Sequence, residues 1–488
     1  MRFEDLPRPG IWKRLIVGGL LVIFAAAGAT AVAAFNEVDD FVDALELGPE
    51  LKLGAGALSE TDPGKPQTLL VLGSDRRPKN NSEGASGARS DTIMLVRLNP
   101  DKEATAIMSL PRDLKVRIPG HGVQKINASY DLGGPALTLE TVKLLTGLNI
   151  NHVINVTFKG FWRAVNAIEC VYVDVDRDYF NDSAGYSRID IDPGYQRLCA
   201  RHALQYVRYR HTDTDLVRSA RQQDFLRQMK QQVTYTKLIS NRKRLAKIFG
   251  RNTSTDAALR DRSEVLRLAK LAIFSADQPI QEIHFEGQIG PSFVEATNAQ
   301  VKKLVQRFLD AKESPGPRGE APGERPARKP KRKQKRDAAS LGLYDASGMG
   351  EDQGLQAVQA GAGGSLPVLY PALLTNSSEF AHPPRVYKMR DPDGKKYGAY
   401  RMVVRRTNAL GEYYGLQGTT WRNPPILDAP TETRKVGGRE YELHFAGDRL
   451  RLVAWRTPKA SYWISNTLLQ TLDAKQMMAI ARSARRCC

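Results

Sequence analysis

The alternation of apolar and polar positions divides the chain into five stretches. Residues 15–35, LIVGGLLVIFAAAGATAVAAF, run for 21 residues without a charge. At about 1.5 Å per helical residue this is long enough to span a bilayer. Lys13 and Arg14 precede the run, and Glu37, Asp39 and Asp40 follow it. The positive-inside rule therefore predicts a cytoplasmic N-terminus, residues 1–14, with everything after Asn36 outside the cell membrane. The alternative is a cleaved signal peptide, because small residues cluster at 31–34. The length of the run favours an uncleaved single-pass transmembrane helix. Residues 36–65 then read as a short acidic stalk with a flexible stretch, LGAGALSETDPGKP.

From residue 66 the pattern changes. TLLVLGSD, DTIMLVRLN and ATAIMSL are continuous apolar runs, the signature of strands buried on both faces. Helical periodicity appears in PALTLETVKLLTG, and VINVTFKGFWRAVNAI alternates and then turns helical. VYVDVD reads as a strand. Long helical stretches follow from Arg218 to about Lys247 and through ALRDRSEVLRLAKLAIF, and TNAQVKKLVQRFLDAK closes the region. Alternating strands and helices predict an α/β layered domain over 66–312.

Residues 313–366 begin with ESPGPRGEAPGERPARKPKRKQKRD, too rich in Pro, Gly and charge to bury a core, and read as a basic linker. Residues 367–488 show short strand patterns, KYGAYRMVVRR, EYYGLQGTTW, EYELHFAG, RLRLVAWRT and ASYWISNTLL. Turn signals at DPDG and VGG separate them, and DAKQMMAIARSA reads as a terminal helix. This predicts a small α+β domain with an antiparallel sheet and no catalytic constellation of its own.

Charge and cysteine use narrow the function. The net charge of +19 points to an anionic partner. A chain whose bulk lies outside the cytoplasm is not a nucleic-acid binder, so membrane surface or a phosphate-bearing polymer remains. Of the four cysteines, Cys170 and Cys199 fall within the α/β region and Cys487 and Cys488 end the chain. No CxxC spacing or Cys/His cluster suggests zinc. Outside the membrane a disulfide is allowed, and two separate buried thiols are the alternative.

Four charged clusters fall at loops beside apolar strands. GSDRR carries Asp75, Arg76 and Arg77. GARSD carries Arg89 and Asp91, and SLPRD carries Arg112 and Asp113. YVRYRHTDTDLVRSARQQ carries Arg208, Arg210, Asp213, Asp215, Arg218, Arg221 and Gln222. Read as a strand, YVRYRH sends Arg208 and Arg210 to one face. Asp215 would cap the next helix, and Arg218, Arg221 and Gln222 would share a face of its first turns. In open α/β sheets, ligands sit at the carboxyl ends of strands, and guanidinium forks match phosphate oxygens in pairs. Convergent arginines with two carboxylates suit a diphosphate and one divalent metal. A salt-bridged network that only ties loops together is the competing reading.

Taken in order, GSD, RSDTIMLV, SLPRD, KINASYDLGG, TVKLLTGLNINHVINVTFKGF and YVRYRHTDTDLVRSARQQ resemble the LytR-CpsA-Psr family. The resemblance implies a three-layer α/β/α domain with a central mixed sheet and a hydrophobic cavity for a lipid chain. It implies a membrane-anchored transferase that takes a glycopolymer from a polyprenyl diphosphate carrier and joins it through a phosphodiester to peptidoglycan. By motif, Asp75 and Asp91 would bind Mg2+ (or Mn2+). Arg89, Arg112, Arg208, Arg210, Arg218 and Arg221 would bind the diphosphate, with Arg112 and Arg210 also assigned to catalysis. Asp215 and Gln222 would orient them. Asp91 is the first candidate for general base and Asp113 the second. Where the family often reads GGV this chain has ECV, and where it often reads LDG this chain has LCA. Two unusual cysteines at those positions point to a Cys170–Cys199 disulfide. Two other functions fit the same residues. One is hydrolysis of a lipid diphosphate. The other is a non-enzymatic sensor of wall polymer, against which the paired aspartates argue.

Overall fold

The computed structural model describes residues 43, 48–62, 64–74, 90–102, 104–183, 188–209, 212–232, 235–274, 280–311, 338–408 and 411–488. The predicted membrane span at 15–35 and residues 313–337 of the predicted basic linker lie outside these residues. Among the described residues no helix is long and apolar enough to cross a membrane.

Six strands build the first domain's central sheet. Their order is Thr253–Thr255, His152–Thr157, Gln67–Ser74, Ser90–Asn99, Ala104–Leu110 and Ile280–Ile283. The sheet is mixed. Gln67–Ser74 runs parallel to His152–Thr157 and antiparallel to Ser90–Asn99, and Ile280–Ile283 runs parallel to Ala104–Leu110. Successive residues of a strand face opposite sides, so a run such as LLVL needs cover on both. Leu70 and Leu72 pack with Leu139 and Val142 of helix Ala128–Thr146 and with Val301, Leu304 and Phe308 of helix Asn298–Asp310. Val71, Met94 and Ile107 turn the other way and meet Leu226 of helix Asp215–Gln232. The result is an α/β/α sandwich.

Two regions read as flexible belong to folded structure. Residues 48–59 of the stalk lie along the domain. Leu51 is buried and its N–H donates to the Thr255 carbonyl at 2.8 Å, and the Ser59 N–H donates to Ile150 O at 2.8 Å. Leu51, Leu53 and Leu58 supply the apolar contacts that a composition-based reading overlooks. The C-terminal domain begins not at 367 but by 338. Ser347–Gln359 is a helix within the segment read as linker. Its glycines are packing positions: a Cβ on Gly350 would come within 2.6 Å of Tyr370, and one on Gly354 within 2.8 Å of Cys487.

The C-terminal domain is built on an eight-stranded antiparallel sheet. Its strands include Lys396–Arg406, Tyr413–Thr419, Arg449–Arg456 and Ser461–Ser465. Val453, Trp455, Tyr462 and Ile464 face a core shared with Met477 and Ile480 of helix Ala474–Arg482. The alternate residues Leu452, Ala454 and Trp463 face Tyr172 and Tyr195 of the first domain. Both faces of the sheet are therefore covered, one by its own helices and one by the neighbouring domain. Trp463 Nε1 donates to Asp174 Oδ2 at 3.2 Å, Arg401 pairs with Asp174 at 3.3 Å, and Tyr172 OH donates to Arg390 O at 2.7 Å.

Candidate functional site

The end of the central strand is where the chemistry gathers. Gly73 pairs with Thr92 and Ser74 with Ser90, so Asp91 is skipped by the ladder and forms a bulge. A bulge bends its strand and re-aims a side chain. Ser90 Oγ pins this one by donating to Thr92 O at 2.8 Å and Gly73 O at 3.3 Å. A Cβ on Gly73 would stand 3.0 Å from Thr92 Cβ, so the close approach suits glycine. Asp75, Arg76, Arg77, Arg89 and Arg210, and the side chain of Asp91, lie outside the described residues. Their backbone anchors do not: Asp75 follows Ser74, and Ser74 is laddered to the residue before Asp91.

The next strand brings Arg112 and Asp113 to the same end, because Leu110 pairs with Ile93. Asp113 sits between two cations, with Lys125 Nζ at 3.3 Å and Arg112 Nε at 3.6 Å. Its own N–H donates to Asp215 Oδ2 at 3.4 Å, and Asp215 in turn pairs with Arg218 one helical turn on. Strand end and helix start are thus joined through Asp113 and Asp215. Lys125, which the sequence reading left aside, belongs to this cluster; its only signal was its place in KINASY.

Several expectations are corrected. The YVR that opens YVRYRH is not strand: Ala200–Arg208 is a helix that buries Ala203, Tyr206 and Val207, a helical spacing. Arg208 closes that helix with its guanidinium over the Phe158 ring at 4.0 Å. Asp215 does not cap the following helix. Thr214 does, its Oγ1 accepting from Val217 N–H at 3.2 Å. Arg221 is not a diphosphate ligand facing outward. It is fully buried, donating to Asp213 Oδ2 at 2.6 Å and to Tyr209 O at 2.6 Å, with Tyr179 stacked on its face at 4.7 Å. The face shared by Arg218, Arg221 and Gln222 is real but turns inward, since this helix is itself packed between the sheet and its neighbours. Gln222 orients backbone, not arginines: its Nε2 donates to Val207 O at 3.1 Å. Asp213 and Arg177, unassigned by the sequence reading, form the hub. Asp213 holds both Arg177 and Arg221 with its side chain fully buried.

Cys170 and Cys199 are joined in a disulfide. Glu169 and Cys170 have φ of 64° and 72°, and Ala200 has φ of 38°. These three non-glycine residues hold a conformation that favours glycine, at the places where the ECV and LCA motifs depart from GGV and LDG. The cross-link joins the two departures.

Among the described residues no cluster of three or more His, Cys, Asp or Glu could hold a metal ion. Asp75 and Asp91 each follow in sequence the paired Ser74 and Ser90, and carboxylates are the hard oxygen donors that suit a divalent cation keeping most of its ligands from water and phosphate.

The mixed sheet sandwiched between helices, with acidic and basic side chains collected at its strand ends, defines an α/β/α class of protein. Within that class, the chain belongs to the LytR_cpsA_psr family, whose model matches residues 34–309. The polyisoprenyl-teichoic acid–peptidoglycan teichoic acid transferase TagT of Bacillus subtilis (strain 168) is 33% identical over 224 residues, 44% of this chain and 68% of that protein. TagU of Oceanobacillus iheyensis is 29% identical over 260 residues, 50% and 77%. The regulatory protein MsrR of Staphylococcus aureus (strain COL) is 31% identical over 169 residues, 34% and 49%. Among solved structures, TagT bound to LI-WTA aligns with a TM-score of 0.42 at 24% identity, covering 53% of this chain and 98% of that one.

Proposed function

We propose that this protein transfers a glycopolymer from a polyprenyl diphosphate carrier to peptidoglycan through a phosphodiester bond, outside the cell membrane. The observation that carries the reading is the register that sets Ser74, the Asp91 bulge and Arg112 at one end of three adjacent strands, with Asp75 next in sequence to Ser74. Relatives named as teichoic acid transferases support the class of reaction. Residues 15–35 anchor the chain as a single span with a cytoplasmic N-terminus.

In this reading an acceptor hydroxyl on peptidoglycan attacks the phosphorus that carries the glycopolymer. The bond to the bridging oxygen breaks and polyprenyl monophosphate leaves. Asp75 and Asp91 would hold Mg2+ (or Mn2+), which would supply charge neutralisation at the diphosphate. Arg112, Arg89 and Arg210 donate charge-assisted hydrogen bonds that strengthen as negative charge grows on the leaving phosphate. The hydroxyl proton goes to Asp91, the first of the two candidate bases.

The test uses the full chain in lipid with a prenyl diphosphate-linked glycopolymer, with and without peptidoglycan. Polymer bound to the wall by acid-labile phosphodiester is the expected product. Equal release of prenyl phosphate in both arms, with water as acceptor, would make the protein a hydrolase. Binding without turnover would make it a sensor.

A further inference from the structure

The C-terminal domain does more than cover the first. Its hairpin between Lys396–Arg406 and Tyr413–Thr419 reaches the segment that links helix Ala200–Arg208 to helix Asp215–Gln232. Gly411, with φ of 76°, sits so close that a Cβ there would lie 3.2 Å from Val217 Cγ2 and 3.5 Å from Asp213 Oδ1. The Tyr413 ring lies 5.2 Å from the Arg177 guanidinium, whose other neighbours are the rings of Tyr179 and Tyr209. Arg177 also donates to Thr212 Oγ1 at 2.8 Å and pairs with Asp213. The hairpin is held from behind: Glu412 pairs with Arg406 at 3.0 Å and accepts from the Thr471 hydroxyl.

We infer that the C-terminal domain is a positioning element for the transfer site, with Gly411 and Tyr413 as positioning residues. Tyr413 backs Arg177, Arg177 and Arg221 fix Asp213, and that buried hub sets how Thr212 and Asp213 lead into the helix of Arg218. Without the hairpin, one side of the hub opens to water and the segment gains freedom. A guanidinium that must meet a phosphate within a few tenths of an ångström loses effect when its backbone wanders. This inference rests on the transferase reading for its kinetic readout but not for its structural one.

The experiment compares the full chain with Tyr413→Ala, Tyr413→Phe and Gly411→Ala. Tyr413→Ala should lower kcat for transfer about tenfold with little change in donor KM, as expected when transition-state contacts are misplaced. Tyr413→Phe keeps the ring over Arg177 and should restore kcat. Gly411→Ala should behave like Tyr413→Ala, since its Cβ presses on Val217. Trp455→Phe, which loosens the C-terminal core away from the hairpin, should leave kcat unchanged. Amide hydrogen exchange of the peptide spanning residues 209–216 should quicken in Tyr413→Ala, and this needs no turnover. Unchanged exchange in that peptide overturns the positioning role. Normal kcat per folded molecule with a lowered melting temperature overturns it equally. A wild-type protein that shows no transfer refutes the transferase reading alone and leaves the exchange result to decide the positioning.

Discussion

In the first domain, strands end in charge. The strand ends at Ser74, Ser90 and Leu110 adjoin GSDRR, GARSD and SLPRD, and the described charged side chains gathered there stay partly open, Lys125 at 38%, Asp113 at 27% and Arg112 at 13%. At the seam between the domains the same residue types are sealed. Arg401 and Asp174 pair at 3.3 Å with almost no exposure, and Arg221 and Asp213 pair at 2.6 Å with none. An arginine beside an aspartate therefore means two different things in one chain. At the strand ends the ion pairs leave donors for a ligand, because water still reaches them. In the seam every partner is another protein group, and the pair fixes geometry. Arg221 shows how easily the two are confused: like Arg218 one turn before it, it sits in a motif rich in arginine, yet both are buried in ion pairs and belong to the sealed set.

This contrast predicts that strand-end variants lose activity and keep stability, whereas seam variants lose stability. The largest effect should come from Asp91→Ala. Transfer should fall by about 10³-fold through lost charge stabilisation, with an unchanged melting temperature. A folded Asp91→Ala protein that still turns over would remove both the metal and the base roles from that residue. Arg401→Ala should leave Asp174 buried without its cation and reduce stability by about 3–5 kcal/mol, measured by urea unfolding. A change below 1 kcal/mol would show that water or Trp463 alone suffices for Asp174.

The pH dependence of stability probes the seam more gently. Burial raises the Asp176 carboxyl from its ordinary value to about 6, against the opposing pull of Arg177 and the Tyr179 hydroxyl. The folded protein therefore holds this proton more tightly than the unfolded chain. Stability from this group should fall as pH rises from about 4 to about 6 and stay reduced above that, by roughly 3 kcal/mol at most. Asp176→Asn should flatten that part of the profile, and an unaltered slope in urea unfolding across the window would contradict it. The smallest effect should be Arg210→Lys. Lysine keeps the charge but not the planar fork, so kcat should drop about 10–100-fold, equivalent to about 1.4–2.7 kcal/mol, without a loss of stability. A lowered melting temperature with normal transfer would move Arg210 into the sealed set beside Arg221.

The sequence by itself determined the α/β character of the first domain, since runs such as TLLVL and ATAIMSL can be satisfied only by strands covered on both faces. It also carried the order of the GSD, RSD, PRD and DLVRSARQQ motifs and the placement of most of them at strand ends. Short-range periodicity and local chemistry suffice for those. It did not reveal that Arg208 closes a helix, because YVRYRH alternates and also has helical spacing, and only Tyr206 and Val207 finding the Tyr179 and Phe225 core decides between them. It did not reveal that Arg221 is buried, that Thr214 and not Asp215 caps, or that residues 338–366 fold. The partners that settle these lie far along the chain: Asp213 with Arg177, Gly354 with Cys487, Gly411 with Val217. Which charges face a ligand and which are locked inside is a property of what packs over them, and that cover comes from residues distant in sequence, Tyr179 over Arg221 within the first domain and Tyr413 of the C-terminal domain beside Arg177, which no local pattern encodes.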